Sequence, residues 1–239
     1  MIVRICVPIL LVIVHHLAMK WLGMRFSARF GGSFYRRLVS LSPVSMGLAL
    51  AMILGSGLTP EQAGLGFGDP SSGFRAMAIL GLPLALASAG MVFLIPSSQL
   101  ASLESYAPDA PDRFRWVYVW GLVGPVEELL FRSFLLGTLA RAMPGQWGPL
   151  GHATIVSAVV FTLVHLGNVA SGKETMRQFA FQLPGRVAIG LVLGYAFQTS
   201  RSILFPILIH NLQDGLNLSV LSWRIQRSQR VRAATRPRV

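Results

Sequence analysis

Residues 124–132 read Gly124-Pro125-Val126-Glu127-Glu128-Leu129-Leu130-Phe131-Arg132. Two neighbouring carboxylates, with an arginine one helical turn later, stand inside a long apolar stretch. The 239-residue chain has only nine acids, and three of them (Glu127, Glu128 and Asp214) fall in segments apolar enough to enter a bilayer. An ionisable group at membrane depth costs about 3 kcal/mol or more and marks a working site.

The composition around this stretch is that of a polytopic membrane protein. Hydrophobic residues make up 53% and charged residues 13%, with a mean hydropathy of +0.58, where a soluble domain carries roughly 25% charged residues. The expected fold is all-α, a transmembrane helical bundle of about seven spans at ~20 residues each, with six to eight permitted by the length. The net charge of +12 lies between apolar blocks without interleaved aromatics, which fits loops facing anionic membrane lipids and speaks against a nucleic-acid partner. A single cysteine, Cys6, excludes an intrachain disulfide and any Cys-based metal motif. The opening MIVRICVPILLVIVHH has the look of a signal peptide. No small-residue cleavage site follows it, however, so it reads as a retained first helix.

The apolar blocks place spans at about Ile2–Leu22, Leu38–Leu58, Ala76–Ile95, Trp116–Leu139, Gly151–Gly167, Val187–Thr199 and Ile203–Trp223. Thr59-Pro60-Glu61 reads as a short helix start, Pro96–Arg115 as a polar connection with room for a surface helix, and Ser171–Leu183 as a mixed, weakly amphipathic connection. Pro125 predicts a local distortion near the acidic pair. Residues 1–115 group as three spans with their loops, 116–223 as the core that carries the chemistry, and 224–239 as a basic tail, within one compact membrane domain. The basic loop from Lys20 to Arg37 and the tail from Arg224 to Arg238 both belong on the cytoplasmic side by the positive-inside rule. Six crossings separate them, an even number, which puts the C-terminus in the cytoplasm. Short loops and the preference for Arg over Lys point to a prokaryotic inner membrane.

Three patterns carry candidate chemistry. Glu128 and Arg132 are spaced i, i+4 and share a helix face. Phe161 stands one turn before His165, and His210 one turn before Asp214, with Asn211 and Asn217 nearby. Two adjacent carboxylates in low dielectric do not both ionise easily. Arg132 holds Glu128 as carboxylate in the natural assignment, and Glu127 turns toward a cavity. Glu127 and His165 can then share a water, the acid taking its proton and the imidazole positioning it. The angles leave Glu128 open as the base instead. His210 can donate to a developing oxyanion; Asp214 donates if protonated and otherwise orients His210; Asn211, Asn217 and Asn168 are neutral donors. The plainer readings are a structural salt bridge for Glu128–Arg132, helix–helix hydrogen bonds for His15 and His16, solvation for His152 at a span end, and core packing for Phe161.

At these residues the sequence resembles the CAAX-protease and bacteriocin-processing (Abi) family of glutamate-type intramembrane proteases. The family pattern EExxxR, FxxxH, HxxxN stands here as Glu127-Glu128…Arg132, Phe161…His165 and His210…Asp214, in order, with the Gly-rich Gly190-Leu-Val-Leu-Gly194 between. The resemblance covers Val117 to Leu218. It implies a helical membrane bundle whose catalytic groups line a cavity. Glu127 and His165 would activate water there, and His210 with Asp214 would form the oxyanion site. Asp214 departs from the family Asn, which favours either a protonated or a His-orienting role.

The resulting expectation is an intramembrane endopeptidase acting on a membrane-associated protein or peptide, with no cofactor and no bound metal. A zinc protease using Glu127, Glu128, His165 and His210 is one rival; it lacks HExxH and has Arg132 beside the ligands. A non-proteolytic immunity or scaffold protein is another, and a transporter a third. Depth gives a check. At ~1.5 Å per residue, Glu127 lies about 17 Å and His210 about 20 Å from the inner span ends. For His165 to meet them, its helix must continue beyond Gly167 toward Lys173 or the inner cavity must dip; the helix is expected to continue.

Overall fold

The hydrocarbon core offers no water to backbone groups, so each apolar block must pair its own N–H and C=O groups as a helix. The computed structural model describes residues 2–30, 33–100 and 113–235. Among these, α1 (Ile2–Phe30) and α2 (Phe34–Gly55) come first. α3 (Pro70–Ala76) runs through a π-helical stretch, Met77–Gly81, into α4 (Leu82–Val92), and a one-turn α5 (Ser97–Leu100) follows. Residues 113–142 are one long run: α6 (Arg113–Val117), π-helical Tyr118–Leu122, α7 (Val123–Glu128), π-helical Leu129–Leu136 and α8 (Gly137–Ala142). A small hairpin, β1 (Gln146–Trp147) with β2 (Leu150–Gly151), leads to α9 (His152–Val164), α10 (Leu166–Ala170), α11 (Met176–Ser200) and α12 (Leu204–Thr235).

Among the described residues five segments are long and apolar enough to cross a membrane: Ile2–Arg29, Phe34–Gly55, Pro70–Val92, His152–Ala170 and Met176–Ser200. The long runs that fall short, 113–142 and α12, are interrupted by Glu127, Glu128 and Arg132 in one and by His210, Asn211, Gln213, Asp214 and Asn217 in the other. Polar residues of this kind need enclosure by neighbouring helices. The polarity of the molecule follows: Arg132 and Glu128 are wholly buried beside Phe131, Leu130 and Leu135, while Leu54, Ile79, Leu86 and Leu94 stand exposed on the outside. Apolar residues outside and charges inside define an all-α, multi-pass integral membrane bundle.

Glycines let the site helices approach closely. A Cβ on Gly190 would lie 3.2 Å from Ala158 Cβ, and one on Gly194 would lie 2.8 Å from Thr154 Cγ2, so α11 presses a small-residue face on α9. Gly124 faces the α12 backbone, where a Cβ would meet the Ile207 carbonyl at 2.8 Å, and Gly215 of α12 lies under the Trp120 ring. The segment 56–69 ties down the top of α12: Ser202 Oγ donates to the Gly66 carbonyl at 2.6 Å and Ile203 N–H to the Gly64 carbonyl at 2.9 Å. That contact sets the depth of His210, two turns further on.

Several local expectations change. Ser171–Leu183 is not a connection throughout: α11 begins at Met176, because Thr175 and Gln178 form a reciprocal capping box that starts the helix well before its apolar part. Thr59 does cap a turn, through Gln62, but the turn closes at Gly64 (φ +66°) without growing into a helix. The acids Glu104, Asp109 and Asp112 of the polar connection, and Arg236 and Arg238 of the tail, lie outside the described residues. The distortion expected at Pro125 takes the form of π-helical stretches on either side of the acidic pair.

Candidate active site

Glu128 and Arg132 occupy one helix face, and no part of either side chain is exposed. Arg132 Nε lies 3.1 Å from Glu128 Oε2, and Nη1 donates to Oε1 at 3.2 Å. The other terminal nitrogen, Nη2, donates to the Gly190 carbonyl of α11 at 3.2 Å, and the guanidinium lies 4.7 Å above the Phe161 ring of α9. A buried charge needs this many partners; an arginine lacking them would not stay at this depth.

Glu128 has a second duty that its spacing from Arg132 does not reveal. His210 Nδ1 donates to Glu128 Oε1 at 2.7 Å, a short charge-assisted bond across 82 positions of sequence. The ion-paired carboxylate can only accept, so Nδ1 carries the proton and Nε2 points the other way. Nε2 faces Glu127 Oε2 at 3.9 Å and Asp214 Oδ2 at 3.8 Å, both beyond hydrogen-bond reach. Glu127 retains 29% side-chain exposure and Asp214 41%, so these two acids are part-exposed while Glu128 sits fully buried behind the imidazole. Glu128, and not Asp214, therefore orients the His210 ring.

His165 sits at the joint between α9 and α10, and the helical run passes Gly167 to Ala170, as expected from its depth. Its Nδ1 lies 2.8 Å from the Phe161 carbonyl, which accepts a hydrogen bond from the Nδ1–H and leaves Nε2 with the lone pair in the neutral ring. Among the described residues no hydrogen bond or ion pair joins His165 directly to Glu127, Glu128 or Asp214. The Phe161 ring mediates, edge-on to His165 at 5.1 Å and to His210 at 6.1 Å between centroids. Phe161 thus touches Arg132 and both histidines.

The three asparagines of the sequence set are engaged elsewhere. Asn211 Oδ1 accepts from the Gly124 N–H at 2.8 Å and so pins α12 to α7 just below the acids. Asn217 Nδ2 donates to Ser88 Oγ at 3.0 Å and ties α12 to α4. Asn168 caps the turn after α10, its carbonyl accepting from Lys173 N–H at 3.0 Å. His15 makes a helix–helix contact with Ser45, whereas His16 lies against the carbonyl of Val12 in its own helix and packs on Phe131. Sequence reading missed Tyr118, which lies within electrostatic reach of Glu127 and Asp214, and the Gly190 carbonyl as an Arg132 acceptor. Neither carries a sequence signal, since each depends on which helices become neighbours.

Residues 110–216 match the family described as type II CAAX prenyl endopeptidase Rce1-like. The chain is also 28% identical over 102 residues to the membrane-embedded CAAX protease MroQ of Staphylococcus aureus (strain USA300), a stretch covering 42% of this chain and 36% of that protein. The match therefore spans about a third of the relative's length. No solved structure matches the chain. The 110–216 segment takes in Glu127, Glu128, Arg132, Phe161, His165, His210 and Asp214.

Proposed function

We infer, from the premise that this chain belongs to the CAAX protease family, that it is an intramembrane endopeptidase of the glutamate type. It hydrolyses a peptide bond in a membrane-associated protein or peptide. The observation that carries this reading is three carboxylates gathered on one imidazole, with only the rear one bonded to it. Glu128, neutralised by Arg132, fixes the ring. Nε2 keeps its hydrogen-bonding capacity for a substrate oxygen. Glu127, part-exposed, takes the proton of a water, whose oxygen attacks the scissile carbonyl carbon; His165, through Nε2, orients that water. In its protonated form His210 donates from Nε2 to the oxyanion, beside Asp214 Oδ2 at 3.8 Å from the same nitrogen. Glu127 then returns the proton to the departing amine.

The chain sits in a prokaryotic inner membrane with its C-terminus in the cytoplasm. Supporting this, the bundle end holding Arg25, Arg29, Arg36, Arg37, Lys173, Arg224 and Arg227 is more basic than the end holding Arg4, Arg75, Arg141 and Arg201.

The test is Glu127→Gln in reconstituted vesicles and in cells, read by quantitative proteomics of membrane-protein termini with and without a strong chelator. Cleavage products are expected to fall roughly 100-fold or more, the contribution of a general base, and wild-type cleavage is expected to survive chelation. Unchanged termini in Glu127→Gln would overturn the reading in favour of a scaffold. Loss on chelation with rescue by zinc would overturn it in favour of a metalloprotease.

A further inference from the structure

Four basic residues stand at the bundle end away from the arginine-rich loops: Arg4, Arg75, Arg141 and Arg201. Two of them, Arg4 and Arg141, line the same groove between α1, α2 and the run 113–142. The groove has a volume of about 670 Å³ and its walls are apolar, chiefly Val3, Val7, Leu11, Met52 and Phe134. Arg141 Nη1 donates to the Ser56 and Gly57 carbonyls at 3.3 and 3.2 Å, which anchors its guanidinium where α2 ends. Among the described residues neither Arg4 nor Arg141 is ion-paired with a carboxylate. From Arg4 to Leu11 the wall runs along α1 for roughly 10 Å at the helical rise, about a third of the hydrocarbon core.

We propose that this groove binds one membrane glycerophospholipid with an anionic headgroup. The headgroup phosphate lies against Arg4 and Arg141, and an acyl chain runs along Val7, Leu11 and Phe134. A polar end with two guanidinium groups and a dry apolar body matches that ligand in both chemistry and order along the membrane normal. A zwitterionic lipid fills the apolar part equally well but brings a cationic group to the two arginines. The second groove of the bundle, about 480 Å³ between α3 and α11, lacks this feature: its one arginine, Arg75, has Asp69 within electrostatic reach. The proposal is independent of proteolysis, because it concerns the lipid-facing side of the helix that carries the acids.

The test is native mass spectrometry of the detergent-solubilised full chain with equimolar dioleoyl phosphatidylglycerol and dioleoyl phosphatidylcholine. Wild type is expected to retain one phosphatidylglycerol with a preference of roughly fivefold per guanidinium. Arg4→Ala is expected to lower that preference about fivefold, and Arg4→Ala/Arg141→Ala to bring the two lipids near parity. Val7→Trp, which fills the groove and leaves both arginines, is expected to suppress the adduct altogether. Because Arg141 also caps α2 carbonyls, Arg4→Ala and Val7→Trp keep the test decisive should the double variant fail to fold. Equal retention of both lipids by wild type, or an unchanged adduct in Arg4→Ala or Val7→Trp, overturns the proposal.

Discussion

Between α1 and α2 the buried polar contact is His15 Nε2, 3.3 Å from both the carbonyl and the hydroxyl of Ser45. Between the run 113–142 and α12 it is a chain of charges, Arg132 to Glu128 to His210, closed at its far end on the Gly190 carbonyl. The first kind of contact is neutral and replaceable. The second exists only as a complete set, since each member is buried and would be an uncompensated charge or donor without the next. The helices that cross the membrane on hydropathy alone can be held by packing. The two that carry the polar residues are held by each other's charges, and that mutual dependence is what keeps the carboxylates of Glu127 and Asp214 within 4 Å of His210 Nε2.

The largest break in this comparison comes from Arg132→Met. It leaves the Glu128 carboxylate buried with the His210 N–H as its remaining partner, and breaking a buried pair costs about 3–5 kcal/mol. The expected result is a large drop in the melting temperature of the detergent-solubilised protein, or its loss on extraction. Glu128→Gln/Arg132→Met is expected to recover much of that stability, since the orphaned charge is gone, without recovering cleavage, since an amide oxygen holds the His210 N–H without the charge-assisted bond. A single variant no less stable than His15→Ala would show that the charge chain is ornament and that both halves are held alike.

The helices and the chemistry-bearing residues were legible because membrane depth makes them conspicuous. Seven apolar blocks and three acids within them stand out from composition and spacing alone. Glu128–Arg132 was legible for the same reason, the pair lying on one helix. What the sequence does not carry is adjacency between helices. His210 could be paired with Asp214 by its i, i+4 spacing, yet its ring belongs to Glu128, because the Gly124 and Gly215 contacts draw α12 against the run 113–142 more tightly than spacing can express. Asn217, read as a neutral donor, gives its amide N–H to Ser88, and Asn211 is held through its oxygen, which accepts from Gly124, for the same reason. The early start of α11 was hidden by the polar character of its first turns, although Thr175 and Gln178 do spell a capping box.

A medium-sized effect sharpens the comparison through glycine. Gly124→Val places a side chain against the Asn211 amide and the Ile207 carbonyl, where even a Cβ would lie 2.6 and 2.8 Å away. Overpacking of this kind costs typically 1–3 kcal/mol, and the displaced α12 carries His210 with it. Cleavage is therefore expected to fall more than stability. Gly47→Ala in α2 meets nothing within 4 Å, and its effect is expected to stay within about 0.5 kcal/mol. Thermal melts and cleavage assays of the two variants in parallel separate the halves. Equal effects would mean that α12 has slack the site does not use.

The smallest effect asks which oxygen of Ser45 His15 uses. If the ring carries its proton on Nε2, it donates to the Ser45 carbonyl, and Ser45→Ala leaves that bond in place. If Nε2 holds the lone pair, the Ser45 hydroxyl donates to it, and the substitution removes the bond. Interhelical side-chain hydrogen bonds in membrane bundles average about 0.6 kcal/mol, so His15→Ala is expected to cost little beyond its packing. A double-mutant cycle of His15→Ala with Ser45→Ala, measured by thermal or denaturant unfolding in detergent, reads the choice directly. Coupling near 0.6 kcal/mol identifies the hydroxyl as donor, and coupling near zero identifies the carbonyl as acceptor. Coupling of about 2 kcal/mol or more would exceed what a neutral bond of this kind supplies. It would place α1–α2 on the same footing as the charge chain and remove the distinction between the two regions.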